Sequence, residues 1–308
     1  MNPLTRCART SYYKLFQILT KLVLPNKARL YGLGALLGKI RFRVGYVGKM
    51  RSKAWYLKYL REALPHLTEK RRREILQRFW IDHEKAFLEL FVMHSLTKEN
   101  IDEFVEFEGL DVLDECLKEG KGAVLSVPHF GNSKLVHISL AIKGYPMNVI
   151  SSRYLEASET VRRIILDPAL KWHKVGYPDM SPRWMLSTLK SNEVLQISPT
   201  AFGASRGTWT TFLGGKVLVS SSPVRLALST GAPILPCFMF RLDDDRHRLE
   251  ICPPLKIEEH ADQATTVDEN TRALLRIVEE YTAQYPDQFY WMWFVIRRQQ
   301  AEGLVPAE

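Results

Sequence analysis

An α/β fold with a mostly parallel central sheet covered by helices is predicted by three observations. Four short, β-rich apolar runs stand at Ala123 to Val127, Met147 to Ser151, Val194 to Ser198 and Ile234 to Phe240. Helical stretches at 132–143, 157–172, 181–190 and 222–230 separate or follow them, and this alternation argues for strands joined by crossover helices. The chain has 308 residues, 46% hydrophobic and 25% charged, which is ordinary globular composition and enough for a sizeable core.

The elements follow in order. Residues 1–66 form a basic helical extension, and 67–308 the α/β domain, with no internal repeat, low-complexity tract or linker between them. Residues 1–80 carry 19 Lys and Arg against Glu62, Glu69 and Glu74, a net +16, so with +9 overall the remaining chain carries 9 − 16 = −7. Within the extension Tyr12, Leu15, Phe16, Leu19, Leu22 and Val23 recur at helical spacing, with Lys14, Gln17 and Lys21 opposite, until Pro25 ends the pattern. Such a basic amphipathic helix suits the interface of an anionic membrane, although packing on the core is the commoner fate of one apolar stripe. A spanning helix needs roughly 18 apolar residues, and the uncharged run Leu30 to Gly38 is about half that, so attachment is expected to be peripheral. Nucleic acid is not expected as a partner, because the aromatic residues lie in the apolar stripe and no nucleic-acid motif follows.

Thr68-Glu-Lys-Arg opens a long helix at 68–95, whose apolar face is Phe79, Phe87, Leu88, Phe91 and Val92; a short helix runs from Leu110 to Glu119. After the four strands, Arg246 to Cys252 is a final strand paired back through Asp243-Asp244-Asp245, and Asn270 to Gln284 a closing helix. Cys7, Cys116, Cys237 and Cys252 show no Cys-x-x-Cys pair and no zinc-like spacing, so they are expected to be reduced and structural in a cytosolic setting. His83, His94, His137 and His173 lack metal spacing and are expected to be structural; no metal or cofactor is expected. No secretory signal pattern opens the chain.

The chemistry concentrates in Gly122-Ala-Val-Leu-Ser-Val-Pro-His129-Phe-Gly-Asn132-Ser-Lys134, where an apolar strand runs into a histidine and then a helix. That layout places His129 at a strand's carboxyl end, where open α/β sheets put their chemistry. The stretch resembles the His-x4-acid signature of the glycerolipid acyltransferases, in particular the His-Phe-Gly-Asn form of the lipid A late-acyltransferase family. Three further segments support the resemblance. Phe212-Leu-Gly-Gly-Lys216, then Pro223 through Leu228-Ser-Thr-Gly-Ala-Pro233-Ile-Leu-Pro236, resembles the family's Phe-x-Gly loop, helix and Thr-Gly-Ala strand entry. Arg241 falls where the family tends to keep an arginine. The ending Tyr285-Pro-Asp-Gln-Phe-Tyr-Trp291, closing on Arg297-Arg298, resembles the Pro-x4-Trp and basic segment, and together these cover roughly residues 70–300.

The resemblance implies a glycerolipid acyltransferase-like fold and transfer of a fatty acyl chain from acyl carrier protein or coenzyme A to a lipid hydroxyl at the cytoplasmic face of the inner membrane. His129 would be the general base, since a neutral imidazole suits proton removal at neutral pH. Two departures stand out. Lys134 occupies the place of the motif's acid, and a cation there depresses the pKa of the histidine and opposes the helix dipole. Thr200, in Glu193-Val-Leu-Gln-Ile-Ser-Pro199-Thr200, stands where a second family acid is expected. Glu156, Glu159 and Asp179 are the candidate replacement carboxylates. Lys134 is a candidate for a phosphate of donor or acceptor. Arg153, Arg206 and Arg241 are candidates for an anionic head group or phosphopantetheine, and Asn132 for a contact near the thioester or a helix cap. Tyr290, Trp291, Trp293 and Phe294 read as core or interface packing in preference to an acyl tunnel. Two function classes follow: an acyltransferase with an altered catalytic network acting on a lipid or glycolipid hydroxyl or amine, or an inactive relative that binds a lipid or acyl carrier protein.

Overall fold

The computed structural model describes residues 27–44, 53–90, 92–150, 174–176, 182–200 and 207–304. The predicted stripe at 12–23 and the predicted helix at 157–172 lie outside the described residues.

A seven-stranded sheet forms the centre, in the order β1-β9-β8-β2-β5-β3-β4. Its strands are β1 (Val105–Glu108), β2 (Ala123–Ser126), β3 (Met147–Ile150), β4 (Lys174–Gly176), β5 (Val194–Ile197), β8 (Ile234–Arg241) and β9 (His247–Ile251). Every pairing is parallel except β8 with β9, which are joined through the predicted acidic turn, with Arg241 opposite His247. Strand β2 lies mid-sheet between β8 and β5, and all its residues are buried, as a strand covered on both faces requires. The helices are α1 (Lys27–Val44), α2 (Lys53–Ala63), α3 (Glu69–Glu89), α4 (Leu110–Lys118), α5 (Lys134–Ile142), α6 (Pro182–Lys190), α7 (Ser222–Thr230), α8 (Gln263–Gln284) and α9 (Trp291–Ala301).

Several elements differ from the reading of the sequence. Strands β1 and β4 sit at the sheet's edges and are too short to carry a period-2 signal. The stretch around Phe212, read as a loop, is the tip of an antiparallel hairpin, β6 (Gly207–Phe212) with β7 (Gly215–Ser220). Its alternation is plain once the pairing is known: Thr208, Thr210 and Phe212 point inward while Trp209 and Thr211 are exposed. Helix α3 starts as predicted, with Thr68 accepting a hydrogen bond from the Arg71 N–H at 3.2 Å, and ends at Glu89.

Helices α1 and α2 pack onto the same body as the sheet. Gly38 lets α1 lie close on α3, where a Cβ would come within 2.4 Å of the Ile81 backbone. Tyr56, Tyr59 and Leu60 of α2 join Phe79, Phe212, Phe289, Trp291, Trp293 and Phe294 in one buried aromatic cluster. Edge-to-face contacts such as Phe212 with Trp293 at 5.8 Å knit the hairpin, α2 and α9 together. The predicted packing role of Trp291, Trp293 and Phe294 is therefore observed, and Tyr290, partly buried, packs on the same cluster through Phe79 at 5.8 Å while also facing the site described below.

Candidate active site

The site is built from the carboxyl ends of adjacent parallel strands. Strand β2 leads through Val127 and Pro128 to His129, and β5 leads through Ser198 and Pro199 to Thr200; the Val127 N–H donates to the Ile197 carbonyl at 3.1 Å, keeping the two exits in register. Thr200, 71 residues away in sequence, thereby meets His129 twice: its Oγ1 accepts the His129 backbone N–H at 3.0 Å and lies 2.8 Å from Nδ1. Ser198 Oγ is 3.3 Å from the same Nδ1 and 3.1 Å from Thr200 Oγ1, and accepts the Thr200 N–H at 3.2 Å. The position expected to hold an acid thus still contacts the histidine, through a hydroxyl.

A hydroxyl and a carboxylate orient imidazole differently. A carboxylate only accepts, so it selects the Nδ1–H tautomer, whereas a hydroxyl accepts twice and donates once. In the arrangement where Thr200 Oγ1 accepts both N–H groups of His129 and donates to Ser198 Oγ, Nδ1 carries the proton and Nε2 is the basic nitrogen. A hydroxyl can also donate to Nδ1, so it does not select the tautomer as a carboxylate does.

The His-Phe-Gly-Asn turn is clamped from the carboxyl-terminal side. Tyr290 N–H donates to the His129 carbonyl at 3.0 Å and Gly131 N–H to the Gln288 carbonyl at 2.8 Å, with Phe130 bridged to Phe289. Gly131 has φ +50, and a Cβ there would sit 1.9 Å from the Met239 carbonyl oxygen, so the turn requires glycine. The Tyr290 ring stacks on the His129 ring at 5.8 Å and contacts His83 at 5.6 Å, forming one side of the site.

Electrostatically the surroundings are cationic. The pKa of His129 is lowered to about 4, by burial first and then by Lys134, with Arg297 adding to the effect and Thr200 opposing it. The depression expected from a lysine at this position is present. Lys134 is the first residue of α5; its pKa is lowered by desolvation and supported by Glu89. By surface area the residue is nonetheless exposed. His83 is pushed down to about 3, by burial and then by Arg41 and Lys134.

Beneath the turn lies a buried ionic cluster that the sequence reading missed. Asn132, 3% exposed, donates its side-chain N–H to Glu89 Oε2 at 2.7 Å, so its side chain is anchored inward and does not cap α5. Arg241, 5% exposed, grips Glu89 with both terminal nitrogens at 2.8 Å, and also reaches Asp245 at 3.3 Å and Asp82 at 3.7 Å. His247 Nε2 lies 3.0 Å from Glu89 Oε1. Burial alone would raise the pKa of Glu89, but Arg241 and His247 hold it well below the usual carboxylate range. Arg241, expected to contact substrate, is taken up by internal carboxylates. The signal for Glu89 was present: it is the one acid in the apolar run Phe87-Leu-Glu-Leu-Phe91.

Arg153, Arg206 and the candidate carboxylates Glu156, Glu159 and Asp179 lie outside the described residues, so the structure brings together His129, Asn132 and Lys134 of the predicted set and adds Thr200, Ser198 and Tyr290. Among the described residues no group of His, Cys, Asp or Glu could hold a metal ion.

Comparisons with known proteins agree with the resemblance. The family model for bacterial lipid A biosynthesis acyltransferases matches residues 23–298. A lipid A biosynthesis acyltransferase of Haemophilus influenzae is 22% identical over 277 residues, covering 87% of this chain and 83% of the relative. A phosphatidylinositol mannoside acyltransferase of Mycobacterium tuberculosis is 29% identical over 131 residues, 42% of each chain. With His129, its turn and the parallel sheet in place across that span, the chain belongs to the family of bacterial lipid A biosynthesis acyltransferases.

Proposed function

We propose that this acyltransferase moves a fatty acyl chain from the thioester of acyl carrier protein or coenzyme A to a hydroxyl or amine of a membrane lipid or glycolipid, with His129 as general base. The observation that carries the reading is the pairing of His129 Nδ1 with Thr200 Oγ1 at 2.8 Å, at the carboxyl ends of β2 and β5. The acceptor oxygen or nitrogen attacks the thioester carbonyl as its proton passes to Nε2. The thiolate then leaves and takes up that proton, which regenerates neutral imidazole. Thr200 and Ser198 position the ring through Nδ1. Lys134, beside the ring, offers a cation to an anionic group of donor or acceptor.

Peripheral attachment to the cytoplasmic face of the inner membrane belongs to the same proposal. Leu36, Ile40 and Val44, at helical i, i+4, i+8 spacing, are 55%, 47% and 70% exposed on α1, with exposed Lys39 and Arg43 beside them. An apolar ridge flanked by cations suits the interface of an anionic bilayer. No helix among the described residues is long and apolar enough to cross a membrane.

The test is a mass-spectrometric assay of the full chain with mixed acyl-carrier-protein thioesters and a membrane lipid extract, beside His129→Ala and Lys134→Glu. A new acylated lipid that disappears with His129→Ala supports the reading and identifies the acceptor. Full activity in His129→Ala removes His129 as the base. Silence in the wild type with activity in Lys134→Glu means that the ancestral site has been switched off, and silence in all three favours a protein that binds a lipid or carrier without acylating it.

A further inference from the structure

Apart from the active site, the molecule carries a hollow of ≈ 490 Å³ between the outer face of the β6–β7 hairpin and helix α8, and His129 is not among its lining residues. Its walls follow from two periodicities. On the hairpin, Thr211 is paired with Lys216, and Trp209 is two residues away on the same face. On α8, Arg272 and Arg276 are one turn apart, with Glu279 following on the same side.

The charges are unbalanced. Three cations, Lys216, Arg272 and Arg276, face one carboxylate, Glu279, which already accepts the Leu213 N–H at the hairpin tip. Arg272 is shared with Glu269 on its own helix. Arg276 is exposed and makes no ion pair or hydrogen bond among the described residues. Trp209, the one tryptophan markedly exposed among the described residues, is 44% exposed at the rim, and Lys216 Nζ lies 5.4 Å from its ring centroid. The lining holds no histidine or cysteine, and its one carboxylate is engaged at the hairpin tip, so its chemistry is recognition.

We propose that this hollow is a second binding site, specific for a phosphate group. Two guanidinium forks and an ammonium converge on it, and the Thr211 hydroxyl adds a neutral donor, which is the donor set that tetrahedral oxyanions require. The volume falls in the usual range for small-ligand sites, roughly 300–1,000 Å³. The phosphate can come from a lipid headgroup or from a soluble phosphomonoester. An indole at the rim favours the lipid, since tryptophan settles at headgroup depth. The site is tied to the active centre through its framework only: the Ser220 N–H at the open end of the hairpin donates to the Pro199 carbonyl at 3.0 Å, next to Thr200. The proposal stands whether or not the acyl-transfer reading holds.

The test follows tryptophan fluorescence of the full chain titrated with glycerol 3-phosphate, with dioctanoyl phosphatidic acid and with dioctanoylglycerol as the phosphate-free control. Wild type, Trp209→Phe and the pair Lys216→Glu with Arg276→Glu are compared. The wild type is expected to respond to a phosphate probe and not to dioctanoylglycerol. Trp209→Phe removes the signal, and the charge-reversed pair weakens binding by about tenfold or more. A response to phosphatidic acid alone assigns the lipid source; equal responses to both phosphates assign the soluble one. The same titration in wild type and in the charge-reversed pair, no response to either phosphate, or an equal response to dioctanoylglycerol overturns the site. Reading Trp209 separates this hollow from lipid contacts made by α1.

Discussion

Two histidines at the carboxyl edge of the sheet hold opposite kinds of partner. His247 faces the Glu89 carboxylate at 3.0 Å, inside a cluster completed by Arg241 and Asn132. His129 faces the hydroxyls of Thr200 and Ser198 at 2.8 and 3.3 Å, with Lys134 close enough to depress its pKa. An acid–histidine pairing of the kind that the resemblance leads one to expect at His129 stands instead in the buried cluster beneath the turn, where Glu89 also holds Asn132. A buried carboxylate gripped by arginine is a rigid anchor. A neutral hydroxyl beside a ring orients it but lacks the charge with which a carboxylate stabilises the imidazolium, and Thr200 offsets the effect of burial and Lys134 only in part. The chain therefore separates two tasks: Glu89 and Arg241 fix Asn132 and hence the turn, while Thr200 orients the His129 ring.

Removing each partner in turn breaks this comparison. His129→Ala is expected to cost transfer about 10²–10⁴-fold, the usual share of a general base, with an unchanged melting temperature. Glu89→Ala should do the reverse in kind. It leaves the buried Arg241 guanidinium with only the longer contacts to Asp245 and Asp82, at a cost of up to about 3–5 kcal/mol in denaturant unfolding, and any loss of activity follows the loss of fold. The depressed pKa of Glu89 also sets the sign with pH. Its contribution to stability is fully present above the carboxylate range of the unfolded chain and is lost as pH falls through its lower folded-state value. An acid-unfolding curve for Glu89→Gln that lies on the wild-type curve would sink the anchoring role.

Thr200→Val keeps the shape and removes the hydroxyl. A drop of about tenfold in kcat with little change in KM is expected if Thr200 acts only through the ring, and Thr200→Ser should restore most of it. The smallest effect is the most diagnostic. With His129 held at about 4, the acid limb of kcat/KM should fall near pH 4, and the rate should be flat through neutrality. Lys134→Gln removes a cation that disfavours imidazolium, so it should move that limb upward. A limb that stays in place in Lys134→Gln would show that Lys134 does not act on the ring.

Much of the α/β plan was legible because short apolar runs and helical periodicity are local signals. Strands β2, β3, β5, β8 and β9 and helices α4 to α7, where described, lie where alternation and capping place them, while α3 ends at Glu89 and not at 95, and α8 starts at Gln263 and not at Asn270. His129 was legible through its position after β2 and through the motif around it. The hairpin tip around Phe212 was read as a loop because its turn residues dominate a window too short to reveal pairing. Glu89 is visible as an acid within the apolar face of α3, but its partners are not, since periodicity shows that a residue faces inward and not what meets it there.

By itself, the sequence determined the alternation of the central strands and helices, the histidine at a strand exit, the basic amino-terminal quarter, and Lys134 and Thr200 where the resemblance leads one to expect acids. These depend on residue type and on spacing along the chain. Tertiary structure alone decided what stands beside His129 and what Arg241 meets. Thr200 reaches His129 across 71 residues because β2 and β5 are parallel neighbours in register. Arg241 meets Glu89 across 152 residues because α3 ends beneath the edge where β8 ends. Partnerships of that kind are set by which strands lie side by side and how far each extends. Neither quantity is written in any local window of the chain.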